Sequence, residues 1–201
     1  MKGFYFITDT SLSRKGNISD VKNALAAGAE VVQYRNKTAS TKEMYEEALK
    51  LRRICKDATF LINDRVDIAL AVNADGVHLG GKDLPYEIAR RLLGKKKTIG
   101  LTVHNVRGAL LAQKLGVDYL GVSPIFFTGT KQDAGKPIGL EMLKKIKKNI
   151  SLPIVAIGGI NLSNTPEVIL AGADAVSAIS AVVSKADVKR EILKFQQLFS
   201  Q

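Results

Sequence analysis

The sequence predicts a single-domain α/β protein, a (β/α)8 TIM barrel spanning residues 1–201. Three observations predict it. Short Val/Ile/Leu-rich segments, with the character of strands buried on both faces, alternate with helical periods along the chain, as in a parallel sheet. There are eight such units, and eight suggest closure into a barrel. A phrase of small residue, small residue, acid also recurs four times, as Gly28-Ala29-Glu30, Asn73-Ala74-Asp75, Gly116-Val117-Asp118 and Gly172-Ala173-Asp174. Each copy follows an apolar helical stretch and precedes a strand, so each reads as a left-handed helix cap feeding a strand. The spacing of the copies is uneven, which excludes a solenoid. No G-x-G-x-x-G turn follows the first strand to support an open doubly wound sheet.

The predicted strands are Phe4–Thr8, Glu30–Tyr34, Phe60–Asn63, Gly76–His78, Thr98–Leu101, Tyr119–Val122, Ile154–Ile157 and Ala175–Ile179. Between them lie helices, among them Thr41–Lys56, Val66–Val72, Pro85–Leu93, Val106–Leu115 and Leu140–Lys148. At 201 residues there is one full-sized core and no linker to divide it. An acid at Asp9 interrupts the N-terminal apolar run too early for a secretory signal. No apolar run approaches the ~20 residues of a membrane span. A soluble cytoplasmic protein is expected, without membrane contact. Cys55, the only cysteine, sits at the apolar spacing of Tyr45, Ala48 and Leu51 and reads as a core side chain. The net charge is +11, concentrated in Lys95–Lys97 and in the run from Lys144 to Lys148. Few aromatic side chains accompany these runs, so they read as solvated helix faces, not a nucleic-acid platform. Their field favours small anionic substrates.

In a barrel the chemistry lies just beyond the strand ends. After the second strand, alternation puts Gln33, Arg35 and Lys37 on one side, a set suited to a polyanion such as a diphosphate; the plainer reading is a solvent-facing basic loop. After the third and fourth strands come Asp64 and Asp83. Either could cap the helix that follows it, with Pro85 in that helix's first turn. Together, on adjacent strands, they suit Mg²⁺, which takes one or two carboxylates and substrate phosphate oxygens. Thr102 follows the fifth strand, where its hydroxyl could meet a phosphate oxygen. His104 reads as a local loop residue. With only His78 and His104 in the chain, a multi-histidine metal site is excluded.

The longest loop, Ser123 to Gly135, follows the sixth strand and reads as a lid carrying Thr128, Thr130 and Lys131. After the seventh and eighth strands, Gly158-Gly159 and Ile179-Ser180 read as a phosphate site built from backbone N–H groups. Two or three charge-assisted bonds there, roughly 1.5–3 kcal/mol each, would dominate binding. Two anion sites, one metal-assisted and one metal-free, point to joining two phosphorylated molecules with loss of diphosphate.

These residues resemble the thiamine phosphate synthase family. The resemblance rests on Tyr5-Phe6-Ile7-Thr8-Asp9, Gln33-Tyr34-Arg35-Asn36-Lys37, Asn63-Asp64-Arg65-Val66-Asp67, Ala74-Asp75-Gly76-Val77-His78-Leu79-Gly80, Pro124-Ile125-Phe126 with Thr128-Gly129-Thr130-Lys131, and Ala156-Ile157-Gly158-Gly159-Ile160, in that order. It implies condensation of hydroxymethylpyrimidine diphosphate with hydroxyethylthiazole phosphate, or its carboxylated form, to thiamine phosphate and diphosphate. It implies that Gln33, Arg35, Lys37, Asn63, Thr102 and Lys131 hold the pyrimidine diphosphate and that Asp64 and Asp83 bind Mg²⁺. Thr128, Thr130 and the backbone of Gly159, Ile179 and Ser180 are implied to hold the thiazole phosphate. The chain departs from the family in Gly81-Lys82, in Thr102 for Ser and in Phe127 for Pro, none of which removes a group with an implied role. The partners expected are small phosphorylated molecules; the sequence is compatible with a homo-oligomer. Two alternatives differ in class. A thiazole tautomerase of similar fold typically carries His in the loop where this chain has Pro124. A non-catalytic phosphate- or nucleic-acid-binding protein is disfavoured by Asp64 and Asp83, which would repel nucleic acid unless metal-bound.

Overall fold

The computed structural model describes residues 1–129 and 135–200. Its strands are β1 (Gly3–Ile7), β2 (Val31–Tyr34), β3 (Thr59–Asn63), β4 (Gly76–Leu79), β5 (Thr98–Val103), β6 (Tyr119–Val122), β7 (Ile154–Ile157) and β8 (Ala175–Ser177). Each pairs in parallel with its sequence neighbours and β8 returns to β1, closing the barrel. The helices are α1 (Asn17–Ala26), α2 (Thr41–Ile54), α3 (Val66–Ala71), α4 (Tyr86–Leu93), α5 (Val106–Leu115), α6 (Gly139–Asn149), α7 (Thr165–Leu170), α8 (Ile179–Val183) and α9 (Val188–Gln197). None among the described residues is long and apolar enough to cross a membrane.

Alternation along each strand divides the core in two. Tyr5, Ile7, Val31, Leu61, Tyr119 and Val155 belong to a cluster inside the barrel. The outward set, including Phe4, Phe6, Val32, Phe60, Ile62 and Leu120, packs beneath the helices. Cys55 is fully buried, as its spacing predicts, and burial pushes its thiol up to about 12.

The strands fall within one or two residues of their predicted limits, and one of these differences is consequential. The predicted eighth strand, Ala175–Ile179, ends at Ser177, and Ile179 opens α8. Apolar residues continue across that boundary, so hydropathy does not mark the turn. The left-handed residues of the recurring phrase are as expected: Gly28, Asn73, Gly116 and Gly172 all have positive φ.

The acids of that phrase have a shared structural task at the lower rim. Asp75 donates its N–H to Phe60 O (2.8 Å) and accepts the Phe60 N–H on its carboxylate (2.8 Å). Asp118 does the same with Ile99 (2.9 and 2.7 Å), and Asp174 with Ile154 (3.0 and 2.8 Å). The three strand residues are fully buried, so their N–H groups need an acceptor that water cannot supply. A cation from the helix preceding each capped strand or its neighbour completes each brace: Arg52 of α2 on Asp75, Arg90 of α4 on Asp118 and Lys147 of α6 on Asp174. The copy at β2 departs, since Glu30 is exposed. There Gln196 of α9 accepts the Phe4 N–H through Oε1 (3.1 Å) and donates Nε2 to Gly28 O (2.9 Å). All four odd-numbered strands are thereby capped at their first or second residue, three by an aspartate and one by an amide.

Asp174→Ala strips the acceptor from the buried Ile154 N–H and is expected to cost roughly 1.5–3 kcal/mol. At this chain length that lowers the melting temperature by about 3–12 °C, measurable by calorimetry. Asp174→Asn keeps an acceptor and loses only a half-exposed ion pair, worth at most about 1 kcal/mol, so it should cost clearly less. Equal losses would show that the ion pair, not the strand cap, carries the effect.

Candidate active site

At the upper rim β1 is followed by Thr8 and Asp9, both buried. Asp9 Oδ1 accepts from Ser11 N, Ser11 Oγ and Leu12 N, and Oδ2 takes the Arg35 guanidinium at 2.9 Å. Thr8 Oγ1 accepts the Arg35 N–H (2.8 Å) and donates to Arg35 O (3.1 Å). β1 therefore grips Arg35 at both ends. Sequence reading assigned no role to Asp9; the available signal was an acid two residues beyond the apolar run that ends at Ile7.

Gln33, Arg35 and Lys37 line one cavity of about 360 Å³, as alternation predicts. Gln33 points into the barrel, almost wholly buried, and Lys37 is exposed and pairs with Asp64. Asn63, Asp64, Asp83 and Thr102 line the same cavity, so four neighbouring strand ends, from β2 to β5, converge there.

Neither aspartate caps a helix. Arg65 occupies the N-cap position of α3 and Pro85 that of α4, and neither helix has a side-chain cap. Pro85 thus stands one position before the first turn in which the sequence placed it. Asp64 has φ +63°, a left-handed conformation unusual for a residue with a side chain, and its N–H donates to His78 O (2.9 Å). Asp83 accepts the Gly80 N–H at 2.6 Å, which tightens its own loop. Burial acts upward on the Asp64 carboxyl, yet hydrogen bonding with Asp83 and pairing with Lys37 hold it below the usual range. Burial and the adjacent Asp64 hold Asp83 above it. Two interacting carboxyls with an ammonium on one of them form a donor set that fits a divalent cation shared with a phosphate ligand. Among the described residues there is no cluster of three or more His, Cys, Asp or Glu that could enclose a metal without such a ligand.

A second cavity, of about 60 Å³, is lined by Thr128, Gly158, Gly159, Ser177, Ile179 and Ser180. The first-turn N–H groups of α8 have no intrahelical acceptor and are available to an anion. Ser177 escaped sequence reading because it fell inside the overextended eighth strand. Its hydroxyl is buried and has no hydrogen-bond partner among the described residues. Gly158 and Gly159, at φ +97° and +66°, serve the loop after β6 as directly as any ligand. A Cβ at Gly158 would lie 2.6 Å from Pro124 Cβ, and one at Gly159 2.5 Å from Phe127 O. That loop begins with a cis Ser123–Pro124 bond and is laid onto β7 by Ile125 N→Ile157 O and Phe126 N→Gly158 O. His104 contacts Ser123 O, in keeping with a local loop role. Phe127 is 83 % exposed. Thr130 and Lys131 lie outside the described residues.

Arg35 lines both cavities, together with Ser123, Ile157 and Ile179. A closed parallel barrel with two adjoining anion-suited cavities at the C-terminal strand ends defines the class: a (β/α)8-barrel enzyme acting on phosphorylated small molecules. Comparison with known proteins narrows it. Residues 4–182 match the family model described as thiamine monophosphate synthase. The chain is 56 % identical to the thiamine-phosphate synthase of Methanosarcina barkeri over 193 residues, covering 96 % of this chain and 88 % of the relative. It is 53 % identical to that of Methanosarcina mazei, covering 96 % and 80 %. Among solved structures, thiamine phosphate pyrophosphorylase from Pyrococcus furiosus superposes with a TM-score of 0.91 at 42 % identity, covering 98 % of this chain and 95 % of that one. The chain belongs to the thiamine phosphate synthase family.

Asp9→Asn separates two tasks of one side chain. Asparagine can still accept from Ser11 and Leu12 through its oxygen, while its amide cannot hold the guanidinium. Losing one hydrogen bond to a charged group, roughly 1.5–3 kcal/mol, should lower kcat/KM about 10- to 100-fold. The same energy lost from the fold should lower the melting temperature by about 3–12 °C, leaving the protein folded in the assay. Unaltered kinetics in steady-state assays would remove Asp9 as the residue that positions Arg35.

Proposed function

We propose that this chain condenses hydroxymethylpyrimidine diphosphate with hydroxyethylthiazole phosphate, releasing diphosphate. The observation that carries the reading is the pair of adjoining cavities with Arg35 in the wall of both. The larger, with its cations and paired carboxyls, suits a diphosphate. The smaller, with backbone donors and the Ser177 hydroxyl, suits a monophosphate. Diffusing anions would be drawn by the net charge of +11.

In this reading the C–O bond to the diphosphate breaks with its electron pair leaving on oxygen. The thiazole nitrogen then supplies the pair that forms the new C–N bond to the pyrimidine methylene carbon. No proton needs removal at that step, in keeping with a chain whose only cysteine is buried in the core and lines neither cavity. Arg35, Lys37 and Lys131 would stabilise the charge developing on the leaving group. Gln33, Asn63 and Thr102 would fix its orientation relative to the thiazole, an entropic contribution. Thr128, Thr130, Gly159, Ile179 and Ser180 would hold the second phosphate. Asp64 and Asp83 would hold Mg²⁺, which when bound neutralises diphosphate charge as a Lewis acid. Closure of the loop after β6 would shield the reacting carbon from water.

The direct test mixes the purified protein with both substrates and Mg²⁺. Thiamine phosphate and diphosphate should appear in equal amounts, and chelation should stop the reaction. Absence of product would overturn the reading. Asp64→Asn and Asp83→Asn should each lower Mg²⁺-dependent turnover by roughly 10²- to 10³-fold, the several kcal/mol of transition-state stabilisation a metal supplies. Circular dichroism should show an intact fold. Unchanged turnover would remove the metal assignment.

A further inference from the structure

A continuous chain of hydrogen bonds crosses the barrel interior beneath the larger cavity. Gln33 Nε2 donates to the Tyr5 hydroxyl at 2.8 Å, and the Tyr5 and Tyr119 hydroxyls lie 2.7 Å apart. The Tyr119 hydroxyl meets His78 Nδ1 at 2.8 Å, and His78 Nε2 meets Thr102 Oγ1 at 2.9 Å. The five residues come from β2, β1, β6, β4 and β5 in turn. Tyr5 and Tyr119 are each 1 % exposed, while Gln33, His78 and Thr102 line the cavity.

The barrel is built to admit this chain. A Cβ at Gly100 of β5 would lie 2.1 Å from the Tyr119 ring, and one at Gly121 of β6 would lie 2.7 Å from His78 Cε1. Glycine within a strand weakens it, so two such positions facing two chain members mark space kept for them.

The direction of the chain follows from counting protons. Burial pushes both phenols up, so each hydroxyl keeps its one proton. Tyr5 accepts the Gln33 amide, and among the described residues the Tyr119 hydroxyl is its one other partner, so the buried Tyr5 proton, which needs an acceptor, goes to Tyr119. The buried Tyr119 hydroxyl, accepting from Tyr5, has His78 Nδ1 as its one acceptor among the described residues, so its proton goes there and Nδ1 is unprotonated. A neutral imidazole of that kind carries its proton on Nε2 and donates to Thr102 Oγ1. The Thr102 proton is left to point elsewhere, into the cavity.

We propose that Tyr5, Tyr119 and His78 are positioning residues that make the Thr102 hydroxyl an obligatory hydrogen-bond donor to an anionic diphosphate oxygen. With the chain reversed, Thr102 would donate to His78 and present only lone pairs to that oxygen. The inference rests on the diphosphate reading of the larger cavity, and its two tests fail separately.

The first test is the ¹⁵N spectrum of imidazole-labelled protein, which has two histidines. A His104→Asn variant assigns the signals. His78 should show a protonated Nε2 and an unprotonated Nδ1; the opposite tautomer, or an imidazolium at the working pH, overturns the proposal. The second test is calorimetric binding of inorganic diphosphate with Mg²⁺. Thr102→Val should weaken it about tenfold, the value of one hydrogen bond, and Thr102→Ser should restore it. Tyr119→Phe should weaken it comparably, and the Tyr119→Phe/Thr102→Val double variant should bind no worse than Thr102→Val alone. If diphosphate does not bind the unaltered protein, the functional reading fails and the proposal with it. If it binds that protein and Thr102→Val equally, only the donor assignment fails; independent, additive losses overturn the coupling through His78. Should Tyr119→Phe not fold, the ¹⁵N spectrum of the unaltered protein still decides the chain's direction.

Discussion

The carboxylate caps at the lower rim are the constraint on which the site depends. A parallel strand has side chains of period two, so a slip of one residue turns every inward group outward. Phe60, Ile99 and Ile154 are held in register by the aspartate that opens the next strand, and Phe4 by Gln196. The upper ends of those four strands carry Asp9, Asn63, Thr102 and Gly158. Each is delivered to the mouth by a strand whose lower end is fixed. The cost of orphaning a buried N–H is what makes the register firm.

Above that frame, the site is organised by polar groups that hold other polar groups. Asp9 holds Arg35, and Arg35 faces both cavities. Lys37 pairs with Asp64, which interacts with Asp83, so three ionisable side chains are held together at the cavity wall. Such preorganisation suits a reaction whose main demand is stabilised leaving-group charge. On the opposite side, Gly158 and Gly159 seat the loop after β6 on β7, so the smaller cavity and the root of that loop are one structure.

Much of this was legible beforehand, for reasons specific to each residue. Gln33, Arg35 and Lys37 alternate after a strong strand pattern, and period two alone brings them to one cavity. Asp64 and Asp83 have acid-then-helix contexts that fit capping equally well; only the left-handed backbone of Asp64 and the turn closed by Asp83 remove that reading. Ser177 was obscured because an apolar run continues from β8 into α8 without punctuation. His78, Tyr5 and Tyr119 stand at strand positions where hydropathy shows only burial. Their mutual contacts join strands 41 and 114 residues apart in sequence.

The sequence by itself determined the barrel, the order of its strands and the residue types available at each strand end. Those are local properties: periodicity, helix caps and the recurring acid express short-range sterics and burial. Only the tertiary structure decided that the acids tie adjacent strands together, that Asp9 holds Arg35, and that a polar chain crosses the interior. Those depend on distances across a closed sheet, which curvature and closure set and no local pattern encodes.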